Sequence, residues 1–126
     1  MPQVEIVFFQ EDDLSEPPLL SWFSKIGEKG SQKCWARIQV LSEQGYEAKR
    51  PLVDYLRDGI YELRMRFQNK QQRILYFFFE DVIVLTHGFS KKERVPDREI
   101  KRAVRYRTMY KENPESHTFK LEMKGR

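Results

Sequence analysis

The chain has 126 residues, of which 40% are hydrophobic and 13% aromatic, with six Gly and six Pro. This composition excludes collagenous, low-complexity and disordered proteins, and one domain of this size can bury a core of its own. The single cysteine, Cys34, excludes a disulfide within the chain. No apolar run approaches the roughly 20 residues of a membrane span. Because the first residues also lack a signal-peptide pattern, we expect a cytoplasmic protein.

Positive charge is concentrated in the second half of the chain. The formal net charge is +4, but residues 1–59 carry seven Lys and Arg against ten Asp and Glu. Residues 60–111 carry thirteen against six, a net charge of +7. Such an asymmetry is expected where one surface meets a polyanion such as a nucleic acid. The alternative is a solvated face of lysines and arginines that binds nothing.

The first third of the chain predicts a strand followed by two helices. The β-branched and aromatic run Val4–Phe9 is typical of a strand. Apolar residues then recur at helical spacing, first over 19–26 and again over 34–41, with Gly27 and Gly30 between them. This pattern predicts a helical hairpin with Cys34 in its core. Residues 46–58 show no clear period and are expected to form a loop.

The next segments predict three strands joined by short turns and a final helix. They are Ile60–Phe67, Gln72–Phe79 and Val82–Phe89, with the helix running from Pro96 to about Lys111. Consecutive strands with short turns pair antiparallel. We therefore predict an α+β fold: a small antiparallel β-sheet with the N-terminal helical hairpin on one face, and a C-terminal helix. Residues 1–111 form the domain, and residues 112–126 form a polar tail.

Arginines of the first two of these strands are predicted to meet on one face of the sheet. The antiparallel register places Arg66 directly opposite Arg73, with Arg64 two positions along. Like charges opposed in a sheet destabilise it unless an anion or a carboxylate neutralises them. The other face is almost wholly apolar and is expected to receive the helices, which leaves the arginine face open. The alternative structural role is ion pairing, with the carboxylates Glu80, Glu93 or Asp97.

The side chains available for chemistry favour RNA cleavage without a metal. Two histidines thirty residues apart and one cysteine give no metal-ligand spacing, and no nucleotide-binding or hydrolase motif occurs. In RNA the 2′-hydroxyl can attack the adjacent phosphorus, and guanidinium groups stabilise the charge that develops. We expect no cofactor. The candidate groups are the arginines Arg64, Arg66 and Arg73, to which Lys91 and Lys92 could add positive charge.

His87 is the natural candidate for a general base, because the pKa of a free imidazole lies near neutrality. A two-residue turn at Glu80-Asp81 places His87 opposite Ile74, on the apolar face. Only a β-bulge near Gly88 returns it to the arginine face. The sequence alone leaves open whether His87 is a core residue or a catalytic one.

Three motifs occur in order in the second half of the chain: YELR at 61–64, RILYFF at 73–78 and LTHGFSKK at 85–92. The segment 56–103 that holds them resembles the RelE/ParE toxin superfamily, in its phage-derived RelE/HigB-like branch. The resemblance implies a RelE-like fold and the toxin of a type II toxin–antitoxin module. Such toxins are endoribonucleases that cut mRNA, typically in the ribosomal A site. The implied partner is a protein antitoxin, often of helix-turn-helix type.

Carried over position by position, the resemblance places the basic site residues of the family at Arg64, Arg73 and Lys92, which are therefore predicted for catalysis. The residues predicted to contact RNA beside them are Arg66, Lys91, Arg94 and Tyr61. Two positions depart from the RelE pattern. Glu62 stands where RelE has an earlier lysine in the same strand, and Arg98 stands about where a tyrosine follows the last strand. These departures leave the route of proton transfer open.

Either His87 or Tyr61 is a possible substitute in proton transfer. Two other functions also stay open from the sequence. One is a toxin of the same fold directed at gyrase, and the other is a binding protein of the same fold without catalysis.

Overall fold

The predicted α+β class is confirmed by the computed structural model, which describes residues 3–90 and 94–121. The elements in chain order are β1 (Glu5–Phe9), α1 (Pro18–Gln44), a short 3₁₀ turn (Gly45–Glu47), β2 (Val53–Arg57), β3 (Ile60–Phe67), β4 (Lys70–Phe79), β5 (Val82–Ser90), α2 (Asp97–Glu112), α3 (Pro114–His117) and β6 (Thr118–Phe119). The loop predicted over 46–58 is wrong in part, since it contains β2.

The strands form one sheet in the order β2-β3-β4-β5-β1-β6. The three predicted strands β3, β4 and β5 are antiparallel neighbours. The prediction of a wholly antiparallel sheet is wrong, because β1 runs parallel to β5. A parallel pair needs a long crossover connection, and the chain between β1 and β5 includes α1 and three strands. Local patterns do not specify which strand β1 borders.

The turn between β3 and β4 is tighter than the sequence predicts. It consists of Gln68 and Asn69, both with positive φ, which is the geometry of a two-residue hairpin turn. The register predicted for this hairpin is therefore wrong by two residues, and Arg73 lies opposite Arg64 instead of Arg66. Because side chains alternate with a period of two, this shift leaves every residue on its predicted face.

The helical hairpin predicted over 19–41 is confirmed, because α1 consists of two helical segments that meet at a kink at Gly27. Gly27 has φ 86° and ψ 176°, a conformation that glycine tolerates best. The second segment folds back beside the first: the ring centroids of Phe23 and Trp35 lie 5.5 Å apart, whereas the same stretch of straight helix would span about 18 Å. Gly30 is buried within the helix. Over the residues that the structure describes, no helix is both long and apolar enough to cross a membrane.

Helices cover both faces of the sheet. As predicted, α1 packs on the apolar face, which includes Leu63, Ile74 and Leu85. The prediction that the opposite face stays open is wrong. There α2 packs through Ile100, Ala103, Tyr106 and Tyr110, and the strands contribute a second apolar cluster. Its sheet members are Val7, Phe9, Ile60, Leu75, Phe77 and Val84.

Part of the predicted polar tail joins the sheet. Phe119 in β6 pairs with Phe8 in β1, and the two rings meet edge to face with centroids 6.3 Å apart. Asn113 caps the short helix α3 by accepting a hydrogen bond from the backbone N–H of Ser116. The fold therefore extends beyond residue 111, at least as far as Phe119.

Gly88 supports α1 through a close approach that leaves no room for a side chain. A Cβ atom there would lie 2.3 Å from the indole of Trp22. We expect Gly88→Ala to lower the free energy of unfolding by about 1–3 kcal/mol, the usual cost of overpacking. Chemical denaturation measures this change. In a Trp22→Ala background the same substitution should cost little, and an equal cost in both backgrounds would refute the steric explanation.

Candidate functional site

Two arginines of neighbouring strands share one carboxylate. Arg64 on β3 is directly opposite Arg73 on β4, an arrangement of like charges that a sheet tolerates poorly. Glu62 lies two positions before Arg64 on the same face. Its Oε1 accepts a hydrogen bond of 2.6 Å from Nη1 of Arg73, and its Oε2 lies 3.9 Å from Nε of Arg64. This carboxylate is the anion that stabilises the opposed pair.

The three arginines that the sequence places on one face differ in how deeply they are buried. Glu62 is 3% exposed and Arg73 is 6% exposed, so Arg73 forms a buried ion pair. The expectation that Arg73 lies on an open face is therefore wrong. The side chain of Arg64 is 30% exposed, and Arg66 is exposed. We call Arg64 and Arg66 the arginine surface, and it lies on the same side of the sheet as α2.

His87 reaches the arginine side of the sheet because of a β-bulge. The register between β4 and β5 shifts so that Leu75 faces His87 while Tyr76 faces Leu85, which leaves Thr86 as the extra residue. The Thr86 hydroxyl donates a hydrogen bond of 3.0 Å to the carbonyl of Leu75. The bulge required by the sequence argument is therefore present, although it lies at Thr86 instead of Gly88.

On that side, α2 buries His87. The imidazole is 1% exposed, and its Nε2 lies 3.0 Å from the Glu99 carboxylate of α2. Its Nδ1 lies 3.1 Å from the Thr86 hydroxyl. Burial lowers the pKa of His87, and the hydrogen bond to His87 lowers the pKa of Glu99. Because a carboxylate only accepts, Nε2 of His87 carries the proton of the hydrogen bond to Glu99.

The lowered pKa of His87 predicts a loss of stability in mild acid. The unfolded chain binds a proton near pH 6.5, whereas the folded chain binds it only at lower pH, so the free energy of unfolding falls as the pH drops below about 6.5. The charged groups that act on His87 are Glu99, Arg102 and Arg105. His87→Gln should remove this part of the pH dependence. Urea unfolding at pH 7.5 and 5.5 measures how the free energy of unfolding changes with pH. An equal change in the unaltered protein and in His87→Gln would contradict the assignment.

The remaining predicted site residues are dispersed. Tyr61 lies on the opposite face, where its ring stacks on Tyr76 with centroids 5.3 Å apart, so it does not join the arginine surface. Arg94 is exposed just before α2, beside a cleft that Arg57 also lines. The predictions for Lys91 and Lys92 fall outside the described residues.

Sequence reasoning missed two carboxylates that organise the site. Glu62 was not among the carboxylates expected to pair with the arginines, because the predicted register was wrong by two residues. Nothing in the local sequence pattern indicates a role for Glu99, since its hydrogen bond with His87 depends on the bulge and on the packing of α2. The hairpin register was the only one of these features that a better assignment of the turn could have supplied.

Cys34 lies in the core, away from this site. Cys34 is fully buried in the core, as predicted, and burial raises the pKa of its thiol to about 12. A nucleophilic cysteine needs a lowered pKa and access to solvent. Among the residues in 3–90 and 94–121, no group of three His, Cys, Asp or Glu side chains could hold a metal ion.

One family model, described as "Phage derived protein Gp49-like (DUF891)", matches residues 21–108. The chain belongs to this Gp49-like family. The matched stretch begins within α1 and ends within α2, so it contains Glu62, the arginine surface, Arg73 and His87. Comparison with curated proteins gives no significant match.

Proposed function

We propose that this Gp49-like protein is the toxin of a type II toxin–antitoxin module, an endoribonuclease that cuts mRNA on the ribosome. The observation that carries the proposal is the arginine surface, where Arg64 reaches solvent beside Arg66 while Glu62 neutralises Arg73 beneath it. Membership in the Gp49-like family and the three RelE-like motifs also support it. The fold alone would not, because one fold hosts many functions.

In the proposed reaction the RNA supplies its own nucleophile. The 2′-oxygen attacks the adjacent phosphorus and forms a new P–O bond, while the bond from phosphorus to the 5′-oxygen of the next nucleotide breaks. The 2′-hydroxyl loses its proton, and the departing 5′-oxygen gains one. Arg64 binds a non-bridging phosphate oxygen and stabilises the charge that builds on it. Arg66 holds the neighbouring backbone, and Lys92 is the proposed second catalytic cation.

Arg73 and His87 act as positioning residues in this proposal, because both are buried. Arg73 fixes the Glu62 carboxylate, which in turn lies beside Arg64. His87 ties α2 to β5 through Glu99. Since the structure places His87 beneath α2 and His117 beside Phe9, we assign proton transfer to water or to groups of the ribosome. This division of roles fits a reaction that depends on the ribosome.

The partners follow from the same proposal. The substrate is mRNA in the cytoplasm, and a protein antitoxin of helix-turn-helix type neutralises the toxin. Both partners are inferred from the resemblance of the 56–103 segment to RelE and HigB toxins. A small helix-turn-helix reading frame beside the gene would support the pairing.

A second candidate, a binding protein without catalysis, has one observation in its favour. Arg73, which the resemblance places among the catalytic residues, is buried in an ion pair with Glu62. A protein that had lost catalysis could keep this pair for stability alone. Such a protein would still bind RNA or an antitoxin but would leave message intact.

Induced expression with mapping of message ends tests the proposal. Cells that produce the unaltered protein should stop growing and accumulate new 5′ ends within translated messages. Arrest with DNA-damage signalling and intact messages would instead indicate a gyrase-directed toxin. Normal growth with intact messages, at protein levels confirmed by immunoblot, would favour the binding protein.

A further inference from the structure

The outer side of α2 carries a row of cations that the proposed cleavage does not use. Arg98, Lys101, Arg102 and Arg105 lie three and four residues apart, so they share one face of the helix. The row spans about 10 Å at 1.5 Å per residue. The side chains of Arg98 and Lys101 are 75% and 74% exposed. We call these four residues the α2 stripe.

Electrostatic interactions within the helix disfavour this arrangement. Arg98 and Arg102, like Lys101 and Arg105, are like charges four residues apart, a spacing that destabilises a helix. Arg98 also lies in the first turn, where the helix dipole disfavours a cation. The nearby carboxylates neutralise the stripe only in part: Asp97 lies 3.3 Å from Lys101 across an exposed pair, and Glu99 lies 3.9 Å from Arg98. Exposed pairs of this kind contribute little.

Two of the cations are held in place by an aromatic ring. The guanidinium carbons of Arg102 and Arg105 each lie 5.4 Å from the ring centroid of Tyr106. Nε of Arg102 also donates a hydrogen bond of 2.9 Å to the Tyr106 hydroxyl. Because Tyr106 is buried, it fixes both side chains against the surface of the helix. A preordered pair of guanidinium groups loses less entropy when it binds an anion.

We propose that the α2 stripe binds the phosphate backbone of a double-stranded nucleic acid, because single strands are bound largely by stacking on aromatic rings, and Tyr106, the ring beside the stripe, is buried. Guanidinium groups match phosphate oxygens well, and nearly all affinity in such contacts comes from charge. An acidic protein partner fits less well, since interfaces between proteins centre on buried aromatic or aliphatic anchors. Large exposed hydrophobic residues occur elsewhere in the described chain, and none of those found lies on α2: Leu14, Tyr46, Tyr55 and Leu121.

The inference goes beyond the proposed cleavage, because a duplex is not its substrate and binding is measured without cutting. The test compares two triple variants with equal loss of charge. Arg98→Gln/Lys101→Gln/Arg105→Gln removes three stripe cations and leaves Arg102, which bonds to Tyr106. Lys29→Gln/Arg37→Gln/Lys49→Gln removes three exposed cations outside α2. Thermal melting of both variants confirms that they fold.

Binding of each protein to a 20-base-pair RNA duplex and to the corresponding DNA duplex is measured over a range of salt concentrations. The stripe variant should bind at least ten-fold more weakly at low salt, with the slope of log K against log salt reduced by about 2–3. The control variant should change less than three-fold. Equal losses on RNA and DNA assign the contact to phosphates, and a loss confined to RNA adds the 2′-hydroxyl to it.

Four results would overturn the inference: no salt-dependent binding by the unaltered protein, equal losses in both variants, no loss in the stripe variant, or competition by polyglutamate as strong as by duplex. The last result would assign the stripe to an acidic protein. Arg64→Ala leaves the four cations of the α2 stripe in place, so it should lose cleavage but keep duplex binding. Failure of the proposed cleavage is therefore distinguishable from failure of the proposed duplex binding.

Discussion

Replacing Glu62 with alanine is expected to lower the free energy of unfolding by about 3–5 kcal/mol, the usual effect of removing one partner of a buried ion pair. The substitution removes the carboxylate that lies 2.6 Å from Nη1 of Arg73, and it leaves two guanidinium groups opposed across β3 and β4. Arg73→Ala should have a similar effect, because it leaves the Glu62 carboxylate buried. Equilibrium unfolding in urea, followed by circular dichroism, measures both changes.

Two controls separate the ion pair from general loss of a side chain. Arg66→Ala, at an exposed position of the same strand, should change the free energy of unfolding by no more than about 0.5 kcal/mol. The double variant Glu62→Leu/Arg73→Met should be more stable than either single variant, since it leaves no charge buried. If the free energy of unfolding of each single variant lay within 1 kcal/mol of that of the unaltered protein, the assigned ion pair would be contradicted.

Replacing Arg64 with alanine is expected to slow mRNA cleavage by about 10²–10³-fold, the usual effect of removing one donor to the developing oxyanion. The protein should remain folded, because Arg64 is partly exposed and lies 3.9 Å from Glu62. Arg64→Lys should restore part of the rate, since it keeps the charge but loses the bidentate fork. Single-turnover cleavage of message in ribosome complexes measures the rates.

Arg37→Ala is the matched control for Arg64→Ala, because Arg37 is an exposed arginine on α1. It should cut message at the normal rate. If Arg64→Ala cut message as fast as Arg37→Ala while both proteins were folded, the arginine surface would not be the catalytic site.

The local elements of the sheet were largely predictable from the sequence. Alternation over 60–67 and the apolar run over 72–79 specify β3 and β4, because these patterns have the period of a strand. The turn that joins β2 to β3 consists of Asp58 and Gly59, a pair typical of such turns, and both residues adopt positive φ. Together these patterns correctly assign the face of every residue in the central hairpin.

The packing of a helix on the second face of the sheet was predictable from the sequence, although it was not inferred. Leu75 and Phe77 share a face with Arg73, and a strand that is apolar on both faces needs packing on both. The amphipathic helix over 97–112 was the element available to pack on that face. The expectation of an open arginine face ignored this requirement. Of its arginines, Arg73 is buried, whereas Arg64 is partly exposed and Arg66 is exposed.

The site itself depends on features that local patterns do not encode. Gln68 and Asn69 are an uncommon pair for a two-residue turn, so the register that joins Glu62 to Arg73 was not evident. The bulge at Thr86, which decides the face of His87, leaves no signature in the alternation of β5. Both features determine which charged groups meet.

The most direct test of the account is cleavage of a message with one 2′-deoxynucleotide at the position before the cut bond. The substitution removes only the proposed nucleophile and leaves the phosphate and both neighbours unchanged. In translating ribosome complexes, the all-ribose message should be cut to a 2′,3′-cyclic phosphate and a 5′-hydroxyl, while the deoxy-substituted message stays intact at that bond. Equal cutting of both messages by the purified protein would contradict attack by the 2′-hydroxyl.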